Sequence, residues 1–243
     1  MAYKGSNVYD QESFFNQFMA RRNRETSPNN TMESPVINDL IDSVPGKRIL
    51  DLGCGDGSFG LTLIQQECSF YEGVDPSLNM VEKAGNRLPE DYSAIHLSSM
   101  EDWEFKDQQY DVVVSRMALH YVADLSPVMK NIFHSLRNGG QFLCSIQHPV
   151  LTSSVECAAL SGKRSNWVVD DYFNQGERQE QWMDEQVIKY HRTTETYFQL
   201  LKEVGFTIEN LKECEPQINY FPNEEEYNRR KRIPLFLVFS CRK

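Results

Sequence analysis

The chain lacks the features of membrane proteins and of small secreted proteins. No stretch of its 243 residues approaches the roughly 18 unbroken apolar residues of a membrane span, and the N-terminus has no apolar signal-peptide segment. Six cysteines occur without a Cys-x-x-Cys pair, which favours reduced thiols over a zinc site or a disulfide framework. We therefore predict a cytoplasmic protein, a monomer or a homodimer, with neither a membrane segment nor a bound metal.

Positive charge is also scarce. The sequence has 35 acidic residues and 25 basic ones, which gives a formal net charge of −10 at pH 7. Because nucleic-acid binding depends on neutralising phosphates, this balance argues against a nucleic-acid substrate. Two short basic runs, residues 21–24 and 229–232, could build a local basic face. The second run follows three glutamates and is predicted to be a solvated helix face.

The most informative segment is residues 48–60, which predicts a strand, a glycine turn and the start of a helix. The apolar run over residues 49–52 is followed by alternating glycines at Gly53, Gly55 and Gly57, and a helical pattern begins at about residue 58. Glycine permits a left-handed backbone and lets a ligand approach without meeting a Cβ. Because open α/β sheets bind ligands at the carboxyl ends of their strands, we predict a small-molecule site here.

An acidic residue follows at the end of the next predicted strand. Residues 69–75 end in Asp75, which lies twenty positions after Gly55. A carboxylate at this position can accept hydrogen bonds from the two hydroxyls of a ribose. A dinucleotide fingerprint would require glycine where Ser58 stands, and the Gly-Lys-Ser/Thr of a phosphate-binding loop is missing. The pattern therefore indicates a nucleoside-containing ligand and disfavours a dinucleotide.

Asp51-Leu-Gly-Cys-Gly-Asp-Gly57 together with Gly73-Val-Asp-Pro-Ser77 resembles the class I S-adenosylmethionine-dependent methyltransferases. The resemblance is strong over about residues 45–149 and loose over the C-terminal strands. It implies S-adenosyl-L-methionine as methyl donor and an α/β, Rossmann-like fold. Helices would cover both faces of a seven-stranded, mostly parallel sheet, whose antiparallel last strand lies beside the fifth. The residues that it places around the cofactor are Asp51, Gly53, Cys54, Gly55, Gly57, Asp75, Pro76, Met80, Ser99, Met100, Glu101, Ser115 and Arg116.

The chain departs from the resembled family at Ser99. Many members have an Asp at this position that holds the adenine amino group. Here either the Ser99 hydroxyl or the neighbouring acids Glu101 and Asp102 would take that role. The adenine contact therefore has two alternative sources.

The order of predicted elements divides the chain into four segments. Residues 1–46 form an N-terminal helical cap, 47–149 the cofactor-binding core, 150–190 a lid insertion, and 191–243 the C-terminal part of the core sheet. The insertion is rich in aromatic residues, and residues 168–169 and 186–190 are predicted to pair as a two-stranded flap. A long insertion at a binding edge is more often functional than not, although a separate hydrophobic cluster is the alternative.

Aromatic and histidine side chains supply the candidates for the acceptor site. The residues that we expect to line it, or else to pack in the core, are Tyr9, Phe18, His120, Tyr121, Trp167, Tyr172 and Tyr190. A sulfonium methyl group is already electrophilic, so that positioning and one general base suffice for its transfer. The candidate bases are His148 and His191, since an imidazole pKa of about 6.5 leaves a neutral fraction at cellular pH.

The acceptor is predicted to be a small or medium-sized organic molecule methylated on oxygen, nitrogen or carbon. The chain has no Asn-Pro-Pro-Tyr or Asp-Pro-Pro-Tyr segment after the fourth strand and no Pro-Cys loop, the motifs expected for nucleotide-base methylation. Three alternatives stay open: a methyltransferase acting on tRNA or protein, a nicotinamide oxidoreductase, and a non-catalytic nucleoside-binding protein.

Overall fold

The computed structural model describes residues 3–158 and 166–243. Its strands are Tyr3–Lys4 (β1), Arg48–Leu52 (β2), Phe70–Asp75 (β3), Ser93–Leu97 (β4), Tyr110–Arg116 (β5), Leu136–Gln147 (β6), Gly176–Trp182 (β7), Glu185–His191 (β8), Thr207–Lys212 (β9) and Phe236–Arg242 (β10). Its helices are Glu12–Arg22 (α1), Ser34–Leu40 (α2), Ser58–Gln65 (α3), Leu78–Arg87 (α4), Leu125–Ser135 (α5), Pro149–Thr152 (α6), Val155–Ala158 (α7), Thr194–Val204 (α8) and Glu224–Arg230 (α9).

A seven-stranded sheet in the order β4-β3-β2-β5-β6-β10-β9 forms the centre of the described chain. Neighbouring strands from β4 to β6 pair in parallel, whereas β10 pairs antiparallel with both β6 and β9. This arrangement confirms the predicted fold, including the antiparallel last strand beside the fifth strand of the core. None of the helices in the described ranges is both long and apolar enough to cross a membrane.

The sheet is buried on both faces because successive side chains of a strand point to opposite sides. On β5, Val113 packs with Phe142 in a cluster that includes residues of α5 and α8. Val112 and Val114 pack in a second cluster with Leu63 of α3. Parallel strands covered on both faces carry such continuous apolar runs, which explains why the core strands were recognisable from their composition.

Side-chain caps define where several helices begin. Ser77 accepts a hydrogen bond from the Met80 backbone N–H at the start of α4 (3.3 Å). Thr193 accepts one from the Thr196 N–H at the start of α8 (3.0 Å). Each cap satisfies a backbone donor that has no partner within the helix. Gly205 ends α8 with a φ of +114°, a conformation that glycine adopts without strain.

A buried ion pair holds the N-terminal segment against the carboxyl end of the sheet. The Arg116 guanidinium donates to both carboxylate oxygens of Glu33, with an Nε–Oε1 distance of 2.9 Å. Ser145 on β6 also donates to Glu33 Oε1 (2.7 Å). Although burial alone would raise the pKa of Glu33, Arg116 and Ser145 hold it below its ordinary value. The pair joins residues that are 83 positions apart.

The lid differs from its predicted form. Residues 186–190 do pair in a hairpin, but their partner is β7 and not residues 168–169, which belong to no strand and are exposed. A two-residue turn joins β7 to β8. A turn of this length fixes the pairing of the two strands, so that Trp182 lies opposite Glu185. The N-terminal strand β1 adds to β8 in parallel and makes a separate three-stranded sheet. Residues 159–165 of the predicted lid lie outside the described residues.

Replacing Arg116 by Met should destabilise the protein, because Glu33 would remain buried without its partner. We expect a loss of about 3–5 kcal/mol in the free energy of unfolding, measured by denaturant titration of the ligand-free protein. The double variant Arg116→Met with Glu33→Gln should recover most of that loss. As a control, Arg137→Met breaks an ion pair with Asp111 in which half of the Arg137 side chain is exposed, and should lose less than about 1 kcal/mol. Equal losses in the two single variants would contradict the importance of the buried pair.

Candidate functional site

A cavity of about 800 Å³ lies at the carboxyl ends of the core strands. The glycine turn after β2, the end of β3 and the segment after β5 form one part of its wall. Helix α1 and the β7–β8 hairpin form the opposite part. Its size suits a nucleoside-sized ligand together with a second small molecule. Its position is where open α/β sheets bind ligands.

The glycine turn has the left-handed backbone that its composition predicts. Gly53 has a φ of +80° and Gly55 one of +56°. A Cβ on Gly53 would lie 2.4 Å from the Cβ of Ala118, so the two segments touch there. A Cβ on Gly55 would meet nothing within 4 Å. Gly53 therefore allows close packing of the protein, whereas Gly55 leaves its backbone open to the cavity.

Asp75 is held in place by the turn that it faces. Its Oδ2 accepts the Gly55 N–H (2.9 Å) and its Oδ1 accepts the Ser77 N–H (3.0 Å). The Ser77 hydroxyl donates to Asp10 (2.7 Å), which ties this turn to the N-terminal cap. Burial raises the pKa of Asp75 to about 6. The carboxylate has lone pairs left for further donors, as a ribose would provide.

Asp51 is a second buried carboxyl group in the same wall. Burial raises its pKa to about 6, even though the Tyr71 hydroxyl donates to its Oδ2 at 2.8 Å. A buried carboxyl whose charge is incompletely compensated is stabilised by a cation from a ligand. The cavity wall at the glycine turn therefore contains two buried carboxyl groups, those of Asp51 and Asp75.

Most of the predicted cofactor residues line the cavity. Those in its wall are Asp51, Gly53, Cys54, Gly55, Asp75, Pro76, Met80, Ser99, Met100, Glu101 and Arg116. Gly57 and Ser115 are not among them. Gly57 begins α3, where a Cβ would press on Ala84 of α4, and the buried Ser115 hydroxyl donates to the Leu52 carbonyl (2.9 Å). Close packing against α4 thus explains the glycine at position 57, and a hydrogen bond between neighbouring strands explains the serine at position 115.

The three candidate side chains for the adenine contact differ in their position relative to the cavity. Ser99 and Glu101 line the cavity, whereas Asp102 does not. The Ser99 hydroxyl donates to Asp102 Oδ2 (2.8 Å), and its oxygen accepts the Asp102 N–H (3.1 Å). Asp102 therefore acts on Ser99 and orients its hydroxyl.

Five of the seven predicted acceptor-site residues line the cavity, and two do not. Those in the wall are Tyr9, Phe18, His120, Tyr121 and Tyr190. Trp167 instead packs under the guanidinium of Arg232, 5.4 Å from its ring centroid. The Tyr172 hydroxyl donates to Thr194 at the start of α8 (3.3 Å). These two aromatic residues thus pack outside the cavity wall, and their contact with the acceptor stays a prediction.

Neither of the two candidate bases, His148 and His191, lines the cavity. His148 Nδ1 accepts the Val150 N–H (3.3 Å), which leaves Nε2 to donate to Glu213 (3.0 Å). His191 is fully buried, with Thr152 at 2.7 Å from Nδ1 and the Tyr172 carbonyl at 2.9 Å from Nε2. Both rings have hydrogen-bond partners on each nitrogen, as structural histidines do.

His120 is the histidine that lines the cavity in the described part of the chain. It is 2% exposed, and its Nδ1 has no hydrogen-bond partner among the described residues. Burial, and then the charges of Lys189 and Arg192, lower its pKa well below the ordinary value. The imidazole is therefore neutral at physiological pH and presents an unsatisfied polar atom to its surroundings.

The β7–β8 hairpin contributes a polar and aromatic cluster that was not predicted from the sequence. Lys189 Nζ donates to Glu180 (2.7 Å) and to Gln147 (3.2 Å). Its ammonium lies 4.7 Å from the Trp182 ring centroid, within the range of a cation–π contact. Alternation along residues 176–182 and 185–191 would have placed these side chains on one face, had the hairpin register been known.

Arg22 at the end of α1 was also missed as a cavity residue. Its guanidinium donates to the Asn30 side chain at 3.2 Å. Burial lowers its pKa, and repulsion from the neighbouring Arg116 lowers it further. Glu33, the nearby carboxylate, already pairs with Arg116. The cavity wall therefore contains a partly desolvated cation with a neutral hydrogen-bond partner.

Comparison with known proteins identifies the family. A family model described as a methyltransferase domain matches residues 21–211. The chain belongs to this methyltransferase family. It is 28% identical over 254 aligned residues to an uncharacterized protein of Haemophilus influenzae, covering 97% of this chain and 96% of the relative.

Other relatives of the methyltransferase extend the comparison. A structure from Listeria monocytogenes, assigned to the S-adenosylmethionine-dependent methyltransferases, superposes with a TM-score of 0.80 at 30% identity, over 87% of this chain and 96% of that one. A phosphoethanolamine N-methyltransferase of Triticum aestivum is 28% identical over 112 residues, but these are 44% of this chain and only 22% of the wheat enzyme. The cofactor of the methyltransferase is S-adenosyl-L-methionine, as the sequence motifs predicted.

Replacing Gly53 by Ala should destabilise the methyltransferase more than the same change at Gly46. Both glycines have a φ between +70° and +80°, so each alanine carries a left-handed strain of about 1–2 kcal/mol. Only the Gly53 variant also overlaps Ala118, which should add about 1–3 kcal/mol. Denaturant titration of both variants measures the difference. The same loss in both would mean that Ala118 moves aside freely.

Proposed function

We propose that this methyltransferase transfers the methyl group of S-adenosyl-L-methionine to a small or medium-sized organic acceptor. The observation that carries the proposal is a single cavity that runs from the glycine turn to the aromatic hairpin. The part near Asp75 has the donors and acceptors that a nucleoside requires. The part near Trp182 and Tyr121 has apolar walls that exclude water from a reacting pair.

The protein cover over this cavity also favours a small acceptor. Tyr9 and Phe18 of the cap contact Trp182 of the hairpin, with ring centroids 5.9 and 5.7 Å away. The parallel pairing of β1 with β8 joins the same two segments. We therefore propose that residues 1–46 and 150–190 act together as one cover over the core formed by residues 47–149 and 191–243. A tRNA or a folded protein would need this cover to open.

The residues present fit the proposed cofactor. Asp75 would accept hydrogen bonds from the ribose, and Met100 with Ser99 or Glu101 would contact the adenine. Asp51 would receive the ammonium of the methionine portion and Arg22 its carboxylate. Bound in this way, the cofactor supplies an electrophilic methyl group. The chain's contribution is to hold it, align the acceptor with it and exclude water.

His120 is the residue that we assign to the acceptor in place of His148 and His191. Its neutral imidazole lines the cavity next to Tyr121, and the two ring centroids are 4.6 Å apart. A neutral imidazole with an unpartnered nitrogen can accept or donate one hydrogen bond to a bound molecule. It would thereby orient the methyl acceptor.

Methyl transfer should be detected in small molecules of a cell extract. The extract would be separated into RNA, protein and a fraction below about 1 kDa, and each fraction incubated with the enzyme and methyl-labelled S-adenosyl-L-methionine. We expect the label in the small-molecule fraction. With Asp75→Asn, incorporation at subsaturating donor should fall by about tenfold or more, since a charge-assisted hydrogen bond contributes about 1.5–3 kcal/mol. Label confined to RNA or protein would overturn the proposed acceptor class.

Arg22 can be tested separately as the partner of the cofactor carboxylate. Arg22→Met should weaken binding of S-adenosylhomocysteine about tenfold or more, because an ion pair with the ligand is lost. Binding of 5′-methylthioadenosine, which lacks the amino-acid portion, should be unchanged, and Arg22→Lys should recover part of the affinity. Isothermal titration calorimetry measures all of these. If Arg22→Met weakens both ligands alike, the role of Arg22 is to keep the cap in place.

A further inference from the structure

The polar groups of the acceptor compartment are few. We define this compartment as the part of the cavity wall formed by the β7–β8 hairpin, the segment after β5 and the end of β6. Its polar members include Lys189 and Glu180 on the hairpin, His120 and Tyr121 after β5, and Gln147 on β6. The remaining wall is largely aromatic or aliphatic, including Trp182, Met183 and Tyr190 of the hairpin and Met117, Ala118 and Val122 after β5. These few polar groups therefore decide which acceptor atom is stabilised there.

Lys189 is the cation of this group, and it has a hydrogen-bond donor to spare. It is 5% exposed, and an ammonium carries three N–H donors. Glu180 and Gln147 accept one each. No third acceptor contacts Nζ in the described part of the chain, where the rings of Trp182 and Tyr121 are its other neighbours (4.7 and 5.7 Å). The remaining N–H is therefore free for a ligand atom.

The charges acting on His120 are positive. Lys189 on the hairpin and Arg192 just after it both disfavour protonation of the imidazole. Arg192 keeps its position by donating to the carbonyls of Val122 and Ala123, each at 2.7 Å. The carboxylate of Glu180 pairs with Lys189 and offsets part of its charge, but the charges that act on the His120 imidazole itself are those of Lys189 and Arg192. A ligand atom beside His120 is thus stabilised when it is negative and destabilised when it is positive.

Two tyrosine hydroxyls, that of Tyr121 in this compartment and that of Tyr9 in the N-terminal cap, meet in the cavity wall. Tyr9 and Tyr121 lie with their hydroxyl oxygens 3.4 Å apart. Burial raises the pKa of both phenols far above the ordinary value, so both remain protonated. A protonated phenol can donate to an anionic oxygen, but it removes no proton from an ammonium group.

We propose that the acceptor is an oxygen acid on an apolar body, namely a carboxylic acid, phenol or enol, whose ionised oxygen lies against Lys189 and His120. This inference rests on the proposed function and names its substrate class. The ionised oxygen uses one lone pair to form the new O–CH₃ bond as the S–CH₃ bond breaks. The electron pair of the broken bond stays on sulfur. The products are S-adenosylhomocysteine and a neutral methyl ester or ether. A carboxylic acid is already ionised at neutral pH, whereas a phenol or enol first releases its proton to the solvent as it binds beside Lys189.

An ammonium acceptor fits this compartment poorly. It would have to be desolvated beside Lys189 and to lose a proton there, while Arg192 also disfavours positive charge near His120. The histidine that could take the proton is a weak base in this environment. The same cations lower the free energy of a bound carboxylate or phenolate. The arrangement therefore selects by the charge of the acceptor as well as by its shape.

The test uses the full-length protein loaded with S-adenosylhomocysteine, so that no sulfonium charge contributes to the result. Benzoate and benzylamine, which share a ring and differ in the sign of their charge, would be titrated by ligand-observed NMR. We expect benzoate to bind at least tenfold more tightly than benzylamine to the wild type. Lys189→Arg should keep this preference. The double variant Lys189→Met with Glu180→Gln, which removes both charges of the ion pair, should lose it while retaining affinity for S-adenosylhomocysteine.

Each other outcome overturns the inference. The inference is overturned if the wild type binds benzylamine as tightly as benzoate or more tightly. It is also overturned if the double variant keeps the preference for benzoate. The absence of benzoate binding up to about 10 mM would also overturn it. Affinity for S-adenosylhomocysteine, measured first in every protein, separates the two proposals. If the wild type binds it but shows no charge preference, only the oxygen-acid acceptor is refuted. If the wild type does not bind it, the proposed function fails and the acceptor class fails with it.

Discussion

The ion pair between Glu33 and Arg116 is the interaction on which the site depends. Two charges are taken out of water there, which is favourable only if each finds hydrogen-bond partners in the interior. Ser145, Ser34 and the face of Phe59 complete those contacts. Because Arg116 ends β5, the pair sets the N-terminal segment at the carboxyl edge of the sheet. The pair is thus a direct link between the N-terminal segment and the end of the sheet at which the glycine turn lies.

Two further sets of contacts hold the N-terminal cap and the hairpin over the cavity. Ser77, which also caps α4, bonds to Asp10 and brings the cap next to Asp75. The aromatic side chains of the cap then pack edge-on against Trp182, in geometries that aromatic pairs prefer. One hydrophobic cluster thus joins the N-terminus, the lid hairpin and Met80 of α4. The parts of the cavity that we propose for the methyl donor and for the acceptor are covered by the same set of contacts.

The methyltransferase core was predictable because its signals are local. Strand, glycine turn and helix follow one another within residues 48–60, and Asp75 lies at the end of the next strand. The histidines were not predictable in the same way. His148 and His120 each follow a core strand, yet only His120 lines the cavity, since Pro149 begins a helix after His148 and turns its ring towards Glu213. Sequence position fixes the edge of the sheet, but not the direction of a side chain in a loop.

By itself the sequence determined the fold, the family, the cofactor and the neighbourhood of Asp75, because these rest on short-range patterns of glycine, apolar and acidic residues. Only the tertiary structure decided that Arg22, Lys189 and His120 share one cavity. These three residues come from a helix before the core, from a lid strand and from a turn after β5. Their association depends on the register of β7 with β8, on the pairing of β1 with β8 and on the ion pair between Glu33 and Arg116. None of these long-range contacts produces a periodic pattern in the amino-acid sequence.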